Sequence, residues 1–282
     1  MSDPTNAAAP GDAADEPGTP AGRRVIELLW DPPGDAARGP RKKLTLEAVV
    51  QAAIEMADAD GFDALTMRAL ARRLGVGAMS LYTYVPGKSE LFELMIDRAY
   101  AARSIPSASL PWRERYATHA RQARAMYRAH PWLLESNLWR LPLGPGILDV
   151  SEDMLAVGQA AGLSYEVGVR VSSLLESYVF GLARGEIADQ SAAMRTGESV
   201  DDYWEARSSF WGTHFSATRF PTMLRTWESG AYEQGPDRTA EADVDLEFAL
   251  DLILDSIERL ARDGVAPAGR EDPPPRDSNS AG

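Results

Sequence analysis

The stretch Thr66-Met-Arg-Ala-Leu-Ala-Arg-Arg-Leu-Gly-Val-Gly-Ala-Met-Ser-Leu-Tyr-Thr-Tyr-Val85 reads as two short helices crossing at a tight turn. Leu70, Ala71 and Leu74 repeat at the spacing of one helical face over residues 66–74. Gly75 supplies the positive φ that a tight inter-helix turn requires, and a second helix follows over 78–84. Ala71 is small where the helices must approach, and Leu70, Leu74, Val76 and Leu81 seal the underside. Ala78, Met79, Ser80, Tyr82, Thr83 and Tyr84 then point mostly outward. A helix of this size fits a DNA major groove with its N-terminal residues at base edges. The alternative is a surface hairpin with incidental aromatics. It is disfavoured by two Tyr, a Thr and a Ser set between Arg68 and Lys88.

The rest of the chain is helical in period almost throughout, without strand-like alternation. Leu46, Val49, Val50, Ala53, Ile54 and Ala57 mark the buried face of a helix over 46–60, capped by Thr45 and ended by Gly61. After Pro86-Gly87, Lys88 opens a helix with Leu91, Leu94, Met95 and Ile96 inward. Further helices are expected at 111–130, 144–161, 165–194, 201–215 and 242–263, with loops at 196–200 and 229–239. The fold class is all-α: an N-terminal three-helix helix-turn-helix domain at 44–103, then a helical-bundle domain at 104–263. Residues 1–22 and 264–282 have little to bury and read as disordered tails.

A net charge of −13 does not oppose nucleic-acid binding, because the charge is unevenly spread. Residues 23–104 carry 12 Lys and Arg against 11 Asp and Glu, whereas 105–282 carry 17 against 27. Phosphate neutralisation needs local positive charge, not a basic total. The absence of Cys rules out disulfides, thiolate metal sites and Cys nucleophiles. His119, His130 and His214 are far apart, and no HExxH spacing, GxSxG motif or Gly-rich phosphate loop occurs. Neither enzymatic activity nor a metal or cofactor is expected. No apolar run approaches the ~18 residues of a membrane span, and residues 1–22 lack the features of a signal peptide. A soluble cytoplasmic protein without membrane contact is expected.

Leu65-Thr66-Met67-Arg68-Ala69-Leu70-Ala71, Leu74-Gly75-Val76, Leu81-Tyr82 and Lys88 through Leu91 resemble the TetR family of bacterial repressors. The helix over 46–60 and Gly61-Phe62 precede them at the matching distance, so the close resemblance covers about residues 44–100. It implies that Thr66, Arg68, Tyr82 and Lys88 contact phosphates of a double-stranded operator. It implies equally that Ala78, Met79, Ser80, Thr83 and Tyr84 approach bases, with Thr45 and Met67 in the same DNA-facing set. Gly87 departs from the Ser or Asn cap common in the family, and Tyr84 and Val85 stand where His and Phe are frequent. Residues 248–257 look like the last helix of a tetracycline-repressor-like C-terminal domain. In that family this helix and an earlier long one, here 165–184, build a four-helix dimer interface. Leu246, Leu250, Ile253, Leu254 and Ile257 form the stripe expected there, widened by Phe248 and Leu252; the alternative is a helix buried within the monomer.

Six bases, Arg23, Arg24, Arg38, Arg41, Lys42 and Lys43, flank or follow an apolar cluster at 25–30 that suggests a short helix or docked segment. Residues 23–43 read either as a basic arm reaching the minor groove, with Arg41, Lys42 and Lys43 nearest the duplex, or as a solvated linker. The second domain holds six of the seven Trp. Trp132, Trp139, Tyr178, Trp204, Trp211 and His214 are the expected lining of an apolar site, with His130, Asn137, Glu176 and Arg184 as polar partners. The resemblance then implies a homodimeric repressor released from its operator by a small apolar or aromatic ligand. Its rivals are a ligand-independent regulator or activator, and a small-molecule enzyme or carrier with a vestigial helix-turn-helix.

Overall fold

The computed structural model describes residues 20–32, 44–138, 140–198, 200–232 and 238–263, all-helical and without a strand among them. Arg41, Lys42, Lys43 and Trp139 lie outside the described residues, as do the tails over 1–19 and 264–282. The helices are α1 (Pro20–Trp30), α2 (Leu46–Asp60), α3 (Met67–Arg73), α4 (Ala78–Leu81), α5 (Lys88–Ala101) and α6 (Trp112–Ala129). After a 3-10 turn at Pro131–Glu135 come α7 (Pro145–Ala160), α8 (Tyr165–Thr196), α9 (Val200–Glu205), α10 (Ser209–Thr213), α11 (Pro221–Glu228) and α12 (Arg238–Asp263). Two compact units result: residues 1–98 with 142–145, and residues 99–141 with 146–282.

The first unit is built on α2, α3 and α4. Thr45 accepts a hydrogen bond from the Ala48 amide and Thr66 one from the Ala69 amide, each at 3.1 Å, so both helices start at a side-chain cap. Val49, Ala53, Leu65, Leu70, Leu81, Val85, Leu91 and Met95 close the core. Pro20 opens α1, a position where its fixed φ suits a helix, so the expected tail over 1–22 ends short of its last three residues.

In the second unit α6 lies against α8, and α8 against α12. Tyr116, Ala120, Ala123 and Tyr127 of α6 are buried with Val171, Leu175, Val179 and Ala183 of α8. Leu246, Leu250, Leu254 and Ile257 are also buried, at 1–5% exposure, and Ile253 is half-buried. This corrects the expected dimer stripe: these residues fill the chain's own core, and the exposed apolar stripe of α12 is Val244, Phe248 and Leu252. The single helix expected over 201–215 is two. Its chain tightens to i→i+3 bonds at Arg207 and Ser208, where the Arg207 guanidinium sits 3.5 Å over the Tyr203 ring. Helix α11, opened by Pro221, stands within what sequence left between helices.

Candidate nucleic-acid interface and effector cavity

Gly75 has φ of +67°, with open space where a Cβ would stand. The turn therefore selects glycine for its backbone conformation rather than for room. The amide of Val76 bonds back to the Ala71 carbonyl at 3.0 Å, which closes the α3–α4 corner. Leu81 and Val85 are fully buried under α4. On its other side Met79 is 80% exposed and Tyr82 46%, and Ser80 and Thr83 are exposed, while Ala78 and Tyr84 are half-buried. Thr83 donates its hydroxyl to the Ser80 carbonyl at 2.6 Å, which leaves its oxygen as an acceptor outward. Arg68 is exposed one residue into α3.

Two of the residues assigned to the DNA face are placed differently. Met67 is buried in the core of the first unit, so its side chain is withheld from that face. Lys88 is half-buried; its ammonium donates to the Phe62 carbonyl at 2.8 Å and lies 4.1 Å above the Phe62 ring. It ties α5 to the segment following α2, a role its charge alone did not announce.

A cavity of about 260 Å³ opens in the second unit. Leu138, Leu141, Ile147, Val150, Met154, Leu155 and Val169 give it aliphatic walls. Ser151, Ser172, Ser173, Glu176 and Ser177 add a polar side, carried mostly by α8, and Tyr100 is the one aromatic among the described residues that line it. Of the expected lining among the described residues, only Glu176, named as a polar partner, is there. Trp132 is buried core against His130, with ring centroids 5.6 Å apart. Tyr178 donates to the Asp245 carbonyl at 3.0 Å. Trp204 and His214 are exposed, and Trp211 meets Trp227 edge to face with ring centroids 4.5 Å apart. Phe210, Trp211, Phe215, Phe220 and Trp227 form a cluster of their own around α10 and α11.

Glu176 is held by a buried polar chain. Tyr127 and Tyr100 donate to its Oε1 at 2.8 and 3.1 Å. Burial first, and then the Glu176 charge, push both phenols up, so both remain donors. The Arg103 guanidinium stands 3.9 Å from Glu176 and donates to the His119 carbonyl at 3.0 Å. His119 bonds Asp153 at 2.7 Å through Nε2, and Arg115 pairs with the same carboxylate. This network assigns a neutral His119 its proton at Nε2. Burial, the largest cause, holds the His119 value below the ordinary imidazole range, against the raising effect of Asp153. Two arginines and two carboxylates balance, so the cluster is neutral as it stands.

The sign of the pH effect follows. The unfolded imidazole takes up a proton near pH 6.5 while the folded one resists it, so acidification costs stability at up to about 1.4 kcal/mol per pH unit. His119→Gln should flatten that dependence, read as the urea midpoint between pH 7.5 and 5.5. An unchanged slope would remove His119 as its source.

An exposed, polar recognition helix on an apolar seat, joined to a second helical unit with its own cavity, defines a helix-turn-helix DNA-binding regulator. Residues 49–95 match the family model for bacterial regulatory proteins of the tetR family. Residues 106–261 match that for the tetracyclin repressor-like C-terminal domain. The chain is 38% identical over 239 residues to the HTH-type transcriptional repressor DrrR1 of Streptomyces coeruleorubidus, covering 84% of this chain and 86% of the relative. It superposes on apo ActR of Streptomyces coelicolor with a TM-score of 0.64 at 26% identity, over 81% of this chain and all of that one. On ActR in complex with actinorhodin the TM-score is 0.61 at 26% identity, over 78% of this chain and 99% of that one. The chain belongs to the TetR family and is a DNA-binding transcriptional regulator. No helix among the described residues is long and apolar enough to cross a membrane, and no group of three or more His, Asp or Glu there is placed to hold a metal.

Proposed function

We propose that the chain is a cytoplasmic homodimeric repressor that sets α4 of each copy into successive major grooves of an operator, and that an amphipathic small molecule in the cavity releases it. The carrying observation is α4 itself, with Leu81 and Val85 fully buried while Met79, Ser80, Tyr82 and Thr83 face outward. Thr66, Arg68 and Tyr82 serve phosphates. Ala78, Met79, Ser80, Thr83 and Tyr84 lie at base edges. The likeness to the repressor DrrR1 and to ActR with bound actinorhodin supports the direction of control and the existence of an effector. The cavity argues for an effector with an aliphatic-compatible body and hydrogen-bond donors toward Glu176, without net charge, because the surrounding ion pairs already balance. Two copies meet through the Val244, Phe248 and Leu252 stripe of α12.

The test uses a duplex selected by the protein from a random pool. Tyr82→Ala should lower affinity for it about tenfold, the value of one or two polar contacts, at an unchanged melting temperature. Lys88→Ala should lower the melting temperature as well, because it breaks the half-buried contact with Phe62. No loss of affinity in Tyr82→Ala would sink the assigned DNA face.

A further inference from the structure

Helix α1 lies outside both family-matched stretches, yet it is docked. Val25, Leu28 and Leu29 are buried along one face, at 4%, 2% and 8% exposure. At its end the Trp30 indole donates from Nε1 to the Leu143 carbonyl at 2.8 Å, across 113 residues of sequence. The next residue, Gly144, presses its backbone on α5: a Cβ there would overlap the carboxylate of Asp97, which is itself buried. Helix α1, residues 142–145 and α5 as far as Arg98 belong to one compact unit. Immediately afterwards Pro145 opens α7, whose Ile147, Val150 and Met154 line the cavity.

We propose that α1 is an intramolecular strap: through Trp30 it clamps the 142–145 segment onto Asp97 of α5, so that segment and helix move together. A basic arm would leave α1 free for DNA. Here its apolar face is spent on the protein, and Arg24 is paired with Glu27 at 3.0 Å. The regulatory meaning rests on reading the cavity as the effector site. A ligand that displaces the first turn of α7 then pulls on α5, the helix that follows the recognition helix, instead of deforming a slack loop. A single hydrogen bond to a backbone carbonyl suits this use, because it fixes position while leaving the clamp openable.

Amide hydrogen exchange of the full chain tests the strap without any effector or operator. Trp30→Phe keeps the ring and removes the N–H. Exchange over residues 143–150 and 94–101 should quicken about tenfold, with α6 and α12 unchanged. Gly144→Ala, which pushes the segment off Asp97, should quicken the same two regions. The combined variant should go no further than Gly144→Ala alone, since both break one clamp. Faster exchange confined to α1, no change at all, or multiplying effects in the combined variant would overturn the proposal. If Gly144→Ala fails to fold, Trp30→Phe decides by itself. A cavity that binds nothing would end the effector reading and leave these exchange results standing.

Discussion

Phe248→Glu is expected to produce a folded monomer that loses at least about a hundredfold in operator affinity. Phe248 is 65% exposed, one turn from Val244 at 67% and one from Leu252 at 55%. These three share a helical face that none of the described residues covers. In a two-fold interface each side chain is buried twice, so one Phe contributes about 3–6 kcal/mol to the dimer before the cost of an inserted charge. That weakens association by about two to four orders of magnitude. Operator binding suffers in step, because a dimer holds two half-sites one helical turn apart and a monomer holds one. Light scattering reads the mass and electrophoretic mobility shift reads the affinity. Leu246→Glu is the contrast: with Leu246 at 2% exposure the charge enters the monomer core, and the melting temperature falls first. A Phe248→Glu chain that stays dimeric at micromolar concentration would place the interface elsewhere.

The helix-turn-helix was legible because its constraints are local. A cap at Thr45, another at Thr66, the positive φ of Gly75 and the apolar seat at Leu70 and Leu81 all act within a few residues, so spacing alone conveys them. Periodicity identifies the apolar faces of a helix but not what covers each of them. On α12 the residues 246, 250, 254 and 257 and the residues 244, 248 and 252 are both regular stripes; only packing against α8 shows which is core. The cavity was harder still. Its walls are mostly ordinary aliphatic residues and serines, indistinguishable in sequence from core and solvent face, whereas Trp132 is core and Trp211 meets Trp227. Glu176 was visible because a lone acid within an apolar stretch of helix needs partners. The sequence did not say that those partners would be Tyr100, Tyr127 and Arg103. Pro221, in the first turn of α11, is the one sequence signal of that helix's start.

Arg124→Met should destabilise the second unit strongly, by about 3–5 kcal/mol. Arg124 reaches Glu186 of α8 by two parallel bonds, from Nε at 2.9 Å and Nη2 at 2.6 Å, and pairs with Asp243 of α12 through Nη1. The Arg124 side chain is 7% exposed and Glu186 10%, whereas Asp243 is 62% exposed and adds little. Glu186, and to a smaller degree Asp243, hold the guanidinium well above its ordinary value, so the charge is never given up. Methionine fills much of the same volume but leaves the Glu186 carboxylate desolvated and unpaired, and that orphaned charge sets the cost. Arg124→Met combined with Glu186→Leu removes both charges and should recover most of the loss, because two apolar side chains can replace a buried pair at little expense. By contrast Arg121→Met should shift stability by less than about 1 kcal/mol, although Arg121 bonds Glu247 at 2.7 and 2.6 Å, because both side chains are about half exposed. Thermal melts of the four chains at one pH decide the matter. A double variant as unstable as Arg124→Met would mean that the guanidinium acts through its packing stem. Because the same residue joins α6 to α8 and α12, loss of Arg124 alone should also weaken the proposed dimer, while Arg124→Met with Glu186→Leu should keep it.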